Sequence, residues 1–283
     1  MIELETGNMP ELPEVENIVK QLRRKIKGKK ISKVSVYKSS VLDGVVKSKF
    51  IKLISGKSIK NVSRVAKIIC IDIGKGYIAI HLKMTGRLIY VDEGEKSQYP
   101  DKYTVLCFEF SDRDKLYFSD VRRFGWVKFL DAEEYKKLKE ATGYDALKIK
   151  GDEFVNILFK YPGKRIYNIL TDQSIISGIG NIYANEALYL AKIHPLRRVS
   201  DTSLVKLKKL HHVLQKILKS AIKLGGTSMR DFVDIYGRKG RFEKELKGYG
   251  REGKICIICK KSEIKRSKLS GRSIFYCPRC QEV

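Results

Sequence analysis

The sequence is short of acidic residues. Its 283 residues hold 32 Asp and Glu against 58 Lys and Arg, a formal charge of +26. It also lacks any run of ~18 uncharged apolar residues, the length a membrane helix needs. The most apolar stretch, Val65 to Leu82, is interrupted by Lys67, Asp72 and Lys75. The opening residues have neither the basic nor the apolar region of a secretory leader. No internal repeat is present, and His81, His194, His211 and His212 show no metal-binding spacing. These absences argue against a membrane protein and against a secreted disulfide scaffold.

What is there argues for a folded chain. Hydrophobic residues make up 43% and aromatics 10%, enough for a core rather than a disordered basic tail. The length suits one large or two medium domains. An excess of +26 implies a polyanionic partner, with nucleic acid first, because cations that neutralise phosphates release condensed counterions. A lysine-rich background composition explains the same excess, so charge alone does not decide.

The cysteines fall into two groups. Cys70 and Cys107 stand singly in apolar, alternating contexts and read as small core residues. Cys256 and Cys259 form a Cys-Ile-Ile-Cys turn, and after seventeen residues Cys277 and Cys280 form Cys-Pro-Arg-Cys. Two such turns supply four thiolates for one tetrahedral zinc. With no open coordination position, that ion is structural. It would hold a segment too short to bury a core unaided. Nine Lys or Arg against three acidic residues surround it from Arg251 onward. Arg272 to Cys277 reads as the second strand of a hairpin with Gly271 near its turn. Arg272 then sits near the tip, either as one more solvated charge or as a planar ligand for phosphate.

Along the chain, Leu12, Val15, Val19, Leu22 and Ile26 make a helical stripe over 12–28. Pro13 suits the first turn, Glu14 and Glu16 complement the helix dipole, and Gly28 stops it. Lys20, Arg23, Arg24, Lys25 and Lys27 take the other face. From about 31 to 130 the apolar period becomes two, with Gly- and Asp-containing turns, which predicts an antiparallel sandwich. Helices are predicted over 133–140, 152–160, 164–176, 181–192 and 201–224. The last carries a stripe of Leu204, Leu207, His211, Leu214, Leu218 and Ala221, and Gly225-Gly226 ends it.

Several segments together resemble one family. Met9-Pro10-Glu11-Leu12-Pro13-Glu14-Val15-Glu16 is similar to the start of formamidopyrimidine-DNA glycosylases. Gly178-Ile179-Gly180-Asn181-Ile182-Tyr183 resembles their helix–two-turn–helix loop, and the four-cysteine hairpin resembles their zinc finger. Arg64-Val65-Ala66-Lys67, His81-Leu82-Lys83-Met84-Thr85-Gly86 and Asp120-Val121-Arg122-Arg123-Phe124-Gly125 match in the same order. The resemblance runs from Met9 to Gln281.

It implies an α+β fold: an N-terminal antiparallel β-sandwich with a catalytic N-terminal helix, then a helix–two-turn–helix domain ending in a zinc-finger β-hairpin. The expected divisions are an extension at 1–9, a catalytic domain at 10–140, a linker at 141–150, a helical domain at 151–250 and the finger at 251–283. The implied activity is excision of oxidised purines, 8-oxoguanine and formamidopyrimidines, from double-stranded DNA, followed by cleavage at the abasic site. A monomer in the bacterial cytoplasm, associated with the nucleoid, is expected, with one structural zinc and no membrane.

The resemblance also assigns residues. Pro10 is the amine nucleophile and Glu11 the carboxyl acid/base. A terminal proline is a secondary amine, and α-amino groups titrate near ~8, so a useful fraction is neutral. Inside a chain its nitrogen is an amide and cannot react, so active protein is expected to begin at Pro10. Lys67 contacts a phosphate near the lesion and assists strand cleavage, and Arg272 grips phosphates from the finger. Met84 and Arg122 fill the gap left by a flipped base, and Phe124 wedges into the opposite strand. Asn181, with Gly178 and Gly180, receives a phosphate at a helix N-terminus.

Two positions depart from the family pattern. A lysine is common where Tyr167 stands, so Lys164 or Arg165 is expected to supply that phosphate contact. Asp101-Lys102-Tyr103 replaces a His-Asp-His stretch. The loop that reads the flipped base is expected between Gly225 and Tyr249. Two other readings fit part of the sequence: an endonuclease VIII-like enzyme for oxidised pyrimidines, and a zinc-ribbon DNA-binding protein without activity. The second gives no reason for Pro10-Glu11 or Lys67.

Overall fold

Helix α1, Leu12–Ile26, forms where the stripe requires it. Leu12, Val15, Ile18, Val19, Leu22 and Ile26 are each 1% exposed or less, each worth roughly 1.5–3 kcal/mol against exposure. The computed structural model describes residues 9–282. The expected 1–9 extension, apart from Met9, lies outside the described residues.

After α1 come β1 (Ile31–Val36), α2 (Lys47–Ile54), β2 (Asn61–Val65), β3 (Ile68–Asp72), β4 (Tyr77–His81), β5 (Gly86–Val91), β6 (Thr104–Phe110), β7 (Lys115–Asp120), β8 (Trp126–Leu130) and α3 (Ala132–Glu140). The strands form two four-stranded antiparallel sheets, ordered β1-β6-β7-β5 and β2-β3-β4-β8. Apolar residues of both sheets, of α1 and of α2 share one core. Helix α2 lies inside the stretch read as strands. Phe50 and Ile54, four residues apart, are both fully buried, a local helical period within a region of period two. Cys70 and Cys107 lie in the core as expected, and burial pushes both thiols up to about 12.

The later elements are β9 (Tyr144–Asp145), α4 (Gly151–Phe159), α5 (Ile166–Thr171), β10 (Ile176–Ser177), α6 (Asn181–Ala191), α7 (Leu204–Lys223), β11 (Lys265–Leu269) and β12 (Arg272–Tyr276). Strands β9 and β10 pair in parallel and fasten 144–145 to 176–177. Helix α5 stops earlier than the periodicity predicts. Asp172 Oδ1 accepts Ser174 N–H at 3.0 Å and turns the chain. In α7 the buried stripe is Leu207, Leu210, Leu214, Ile217, Leu218 and Ala221. Leu204 is 47% exposed. Ser203 caps this helix by accepting Lys206 N–H. Strands β11 and β12 form the expected antiparallel hairpin, with Leu269 opposite Arg272.

The chain divides into two compact units. One contains the residues up to Ala141 together with Gly225–Arg241; the other contains Thr142–Leu224 and the chain from Phe242. The stretch after α7 therefore returns to the unit that begins with α1. No helix among the described residues is long and apolar enough to cross a membrane.

Candidate active site, nucleic-acid interface and metal centre

In the first unit, Pro10 is buried and Glu11 is 3% exposed, immediately before α1. Glu11 is the N-cap residue, and Glu14 closes a capping box. Glu14 Oε2 accepts Glu11 N–H at 2.9 Å, satisfying one of the donors a helix start leaves open. Its other oxygen accepts Thr227 N–H at 2.7 Å. One buried carboxylate thus joins the helix start to the returning segment.

That segment is built for this approach. Gly226 has φ +89°, and a Cβ there would stand 2.8 Å from Glu14 Oε1. Ser228 Oγ donates to Phe232 O at 2.7 Å and accepts Gly240 N–H at 2.8 Å, closing the loop on itself. Asp234 accepts Tyr236 N–H and Arg238 N–H at 2.9 Å each, and Gln21 Nε2–H of α1 at 3.0 Å. Tyr90 N–H on β5 donates to Ile235 O at 2.8 Å. The sequence reading placed a loop here without contacts, because its anchors, Glu14, Gln21 and Tyr90, are over 140 residues away.

Lys67 follows Ala66, which has φ +51°, in the turn between β2 and β3, and is 5% exposed. Arg64 Nε–H donates to Glu16 Oε2 at 2.7 Å, and its Nη1–H to Ala66 O at 3.3 Å, so α1 braces the turn. His81, at the end of β4, accepts Lys83 N–H on Nδ1 at 2.9 Å. Burial, aided by the charges of Lys83 and Lys67, pushes its imidazole down to about 3. It is neutral at physiological pH.

Met84, Arg122 and Phe124 come together. Arg122 Nη1–H points at Met84 Sδ at 3.4 Å, and the guanidinium lies 4.7 Å from the Phe124 ring centroid. Phe124 is 52% exposed, which a core role does not explain. The loop beneath is pinned by Asp120, 1% exposed. Asp120 accepts Gly125 N–H at 2.7 Å, Arg122 N–H at 3.2 Å and the Thr85 hydroxyl. The sequence reading did not single out Asp120 or Thr85. An acidic residue just before a Gly-ended loop was the available signal.

In the second unit, Gln173 sets the Gly178-Ile179-Gly180 turn. Its Oε1 accepts Gly178 N–H at 2.8 Å, and its Nε2–H donates to Ile179 O at 2.7 Å. Asn181 then opens α6. Its Oδ1 accepts Tyr167 O–H at 2.7 Å and Asn185 Nδ2–H at 2.8 Å. With the oxygen doubly engaged, the Asn181 amide turns its two N–H donors the other way. Asn185 Oδ1 accepts Phe275 N–H on β12 at 2.8 Å, tying α6 to the hairpin. Tyr167, at the position where the resemblance led to the expectation of a lysine, therefore orients Asn181. Lys164 is exposed, its Nζ 4.9 Å from the Tyr161 ring centroid.

The hairpin turns through Ser270 (φ +50°) and Gly271 (φ +74°), leaving Arg272 exposed. At its base, Cys256, Cys259, Cys277 and Cys280 place their sulfurs within 4.8 Å of one another. Cys256 and Cys280 are 3.8 Å apart, and Cys259 and Cys277 3.7 Å, far beyond a disulfide's ~2.05 Å. Sulfurs ~2.3 Å from one tetrahedral ion stand about 3.75 Å apart, so the donor set fits a metal. Gln281 supports the site, accepting Cys277 N–H at 2.9 Å and donating to Ile193 O at 2.8 Å.

The architecture is thus a two-unit α+β protein with a helix–two-turn–helix loop and a four-thiolate hairpin. Comparison places it more narrowly. Residues 9–127 match the formamidopyrimidine-DNA glycosylase N-terminal domain, and 145–233 match the H2TH domain of the same glycosylases. The formamidopyrimidine-DNA glycosylase of Pelotomaculum thermopropionicum is 37% identical over 97% of this chain and 100% of its own. The Lactococcus lactis Fpg in complex with abasic-site DNA is 30% identical, with a TM-score of 0.86 over 96% of this chain and 100% of that one. The Lactococcus lactis protein with Fapy-dG DNA is 31% identical, with a TM-score of 0.84 over the same shares. The chain belongs to the formamidopyrimidine-DNA glycosylase family, enzymes of DNA base-excision repair.

Proposed function

We propose that the protein is a bifunctional DNA glycosylase and abasic-site lyase acting on oxidised purines in double-stranded DNA. The observation that carries this reading is the buried Pro10-Glu11 pair at the start of α1, in a chain of this family. The Pro10 nitrogen, once terminal, attacks C1′ of the damaged nucleoside and displaces the base. The C1′–O4′ bond then breaks as O4′ takes a proton, opening the sugar as an iminium that draws electrons, so that β- and then δ-elimination release the two phosphates. Glu11 moves protons on the opened sugar. Lys67 and Arg272 stabilise phosphate charge during strand cleavage.

The remaining residues bind DNA. The exposed Met84–Arg122–Phe124 cluster fills the space of the flipped base and kinks the duplex, with Arg122 toward the orphaned cytosine. Asn181 and Lys164 hold backbone phosphates. The four cysteines would hold one zinc, which supplies no chemistry and keeps the Arg272 hairpin folded. The protein acts as a monomer in the bacterial cytoplasm, on the nucleoid.

This mechanism requires a free Pro10 amine, so active protein begins at Pro10. Borohydride trapping on abasic-site DNA tests it. Protein beginning at Pro10 should form a covalent complex, and Pro10→Gly should form far less. Absence of a complex from the Pro10-terminal form overturns the lyase mechanism.

A further inference from the structure

Three cations of the second unit are held together by backbone pairing. The segment leading into α5 runs antiparallel to 197–200. Ile166 N–H donates to Arg197 O at 3.0 Å, Val199 N–H to Lys164 O at 3.2 Å and Ser200 N–H to Pro162 O at 3.0 Å. Arg165 and Arg198 face one another in this bridge. Main-chain bonds fix the register, so the side chains gather whatever their charge. Lys164, Arg165 and Arg198 line one cavity of about 420 Å³, with Gly163, Asn168 and Asp172.

The cavity has little negative charge to answer them. Asp172 is engaged locally, its Oδ1 accepting Ser174 N–H at 3.0 Å and Ser174 O–H at 2.6 Å. Among the described residues, none of the three cations has an ion-pair partner. The cavity rim also meets the hairpin. Ser270 Oγ lies 3.5 Å from Asn168 Oδ1, two residues before Arg272. Clustered like charges beside an exposed arginine suit a polyanion rather than a small neutral ligand.

We propose that Lys164, Arg165 and Arg198 form a phosphate subsite that takes one backbone phosphate of the DNA strand passing the hairpin tip. It is distinct from the Asn181 turn, and it rests on the reading that the chain binds DNA. Arg198 comes to it only through the fold, from a segment 33 residues beyond Arg165.

The test uses the Pro10-terminal protein and a duplex carrying a tetrahydrofuran abasic analogue. Binding is measured across a salt series for wild type, Arg165→Ala/Arg198→Ala and Arg165→Lys/Arg198→Lys. Loss of one phosphate contact should lower the slope of log K against log salt by about 0.9, with the lysine pair restoring it. An unchanged slope in the alanine pair, with wild type binding normally, overturns the subsite alone. Wild type that fails to bind the duplex overturns the subsite and the DNA reading together. Calorimetry with inorganic phosphate separates the two phosphate sources. No saturable millimolar binding is expected. Saturable binding that the alanine pair abolishes reassigns the cavity to free phosphate and overturns the DNA assignment.

Discussion

The Glu14 carboxylate accepts the Thr227 backbone N–H at 2.7 Å, across 213 residues of sequence. With the Glu11 N–H on its other oxygen, it makes the start of α1 and the returning loop one structural object. Gly226 permits this approach, since its φ of +89° disfavours any side chain and a Cβ would crowd Glu14. Gly226→Ala should therefore destabilise the protein by on the order of 1–2 kcal/mol. If the loop handles the flipped base, as the family resemblance leads one to expect, it should slow base excision more than strand cleavage at a preformed abasic site. Urea denaturation and paired kinetic assays check this. Equal slowing of both steps would mean that the loop has no separate role in handling the base.

Glu11→Gln should separate binding from chemistry. The substitution keeps the size and a hydrogen-bonding head but removes the ionisable carboxyl group. Excision should fall by roughly 10²–10⁴-fold, the usual contribution of a positioned acid or base. Affinity for abasic-analogue DNA should change little. Full excision activity in Glu11→Gln would remove the assigned role.

The sequence disclosed what is local. The α1 stripe, the paired Cys-x-x-Cys turns and the segments that carry Met84, Arg122 and Phe124 each depend on short spacings or motifs. What it hid is held by long-range polar contacts. Nothing near Asp120 shows that it binds Thr85, 35 residues away, or near Asn185 that it accepts Phe275 N–H. Tyr167 was visible only as a missing lysine. Its role needs the Asn181 amide beside it, which only tertiary folding supplies. Helix α2 was obscured by a shift of period within a strand-rich region, and the α7 stripe was rotated because Leu204 looks apolar yet stands in solvent.

Metal removal should act through the hairpin. Analysis of purified protein should find one zinc per chain. Stripping it should leave α1 and the sheets folded, since their core includes no residue of the cysteine segment. DNA affinity should drop, and Arg272→Ala should weaken the metal-loaded protein but add little to the stripped one. A double-mutant style comparison of these four states measures the coupling. Additive losses would show that the four cysteines do not support the function of Arg272.

Stability should fall in mild acid through His81. The folded imidazole is pushed down to about 3, below its ordinary value of 6.5. The neutral form is therefore the one the native state keeps, and unfolding takes up a proton at any pH between those values. The contribution is complete above about pH 6.5 and is lost as pH falls toward 3, at up to about 1.4 kcal/mol per unit. From pH 7.5 to 5.5 the expected loss is about 1.4 kcal/mol by the same relation. His194 is also lowered, by burial and Arg197, so the wild type alone does not isolate the effect. His81→Asn retains an acceptor for Lys83 N–H and cannot titrate. Its urea-unfolding free energy should change less between the two pH values than that of the wild type. Identical pH dependence in the two proteins would place the acid sensitivity elsewhere.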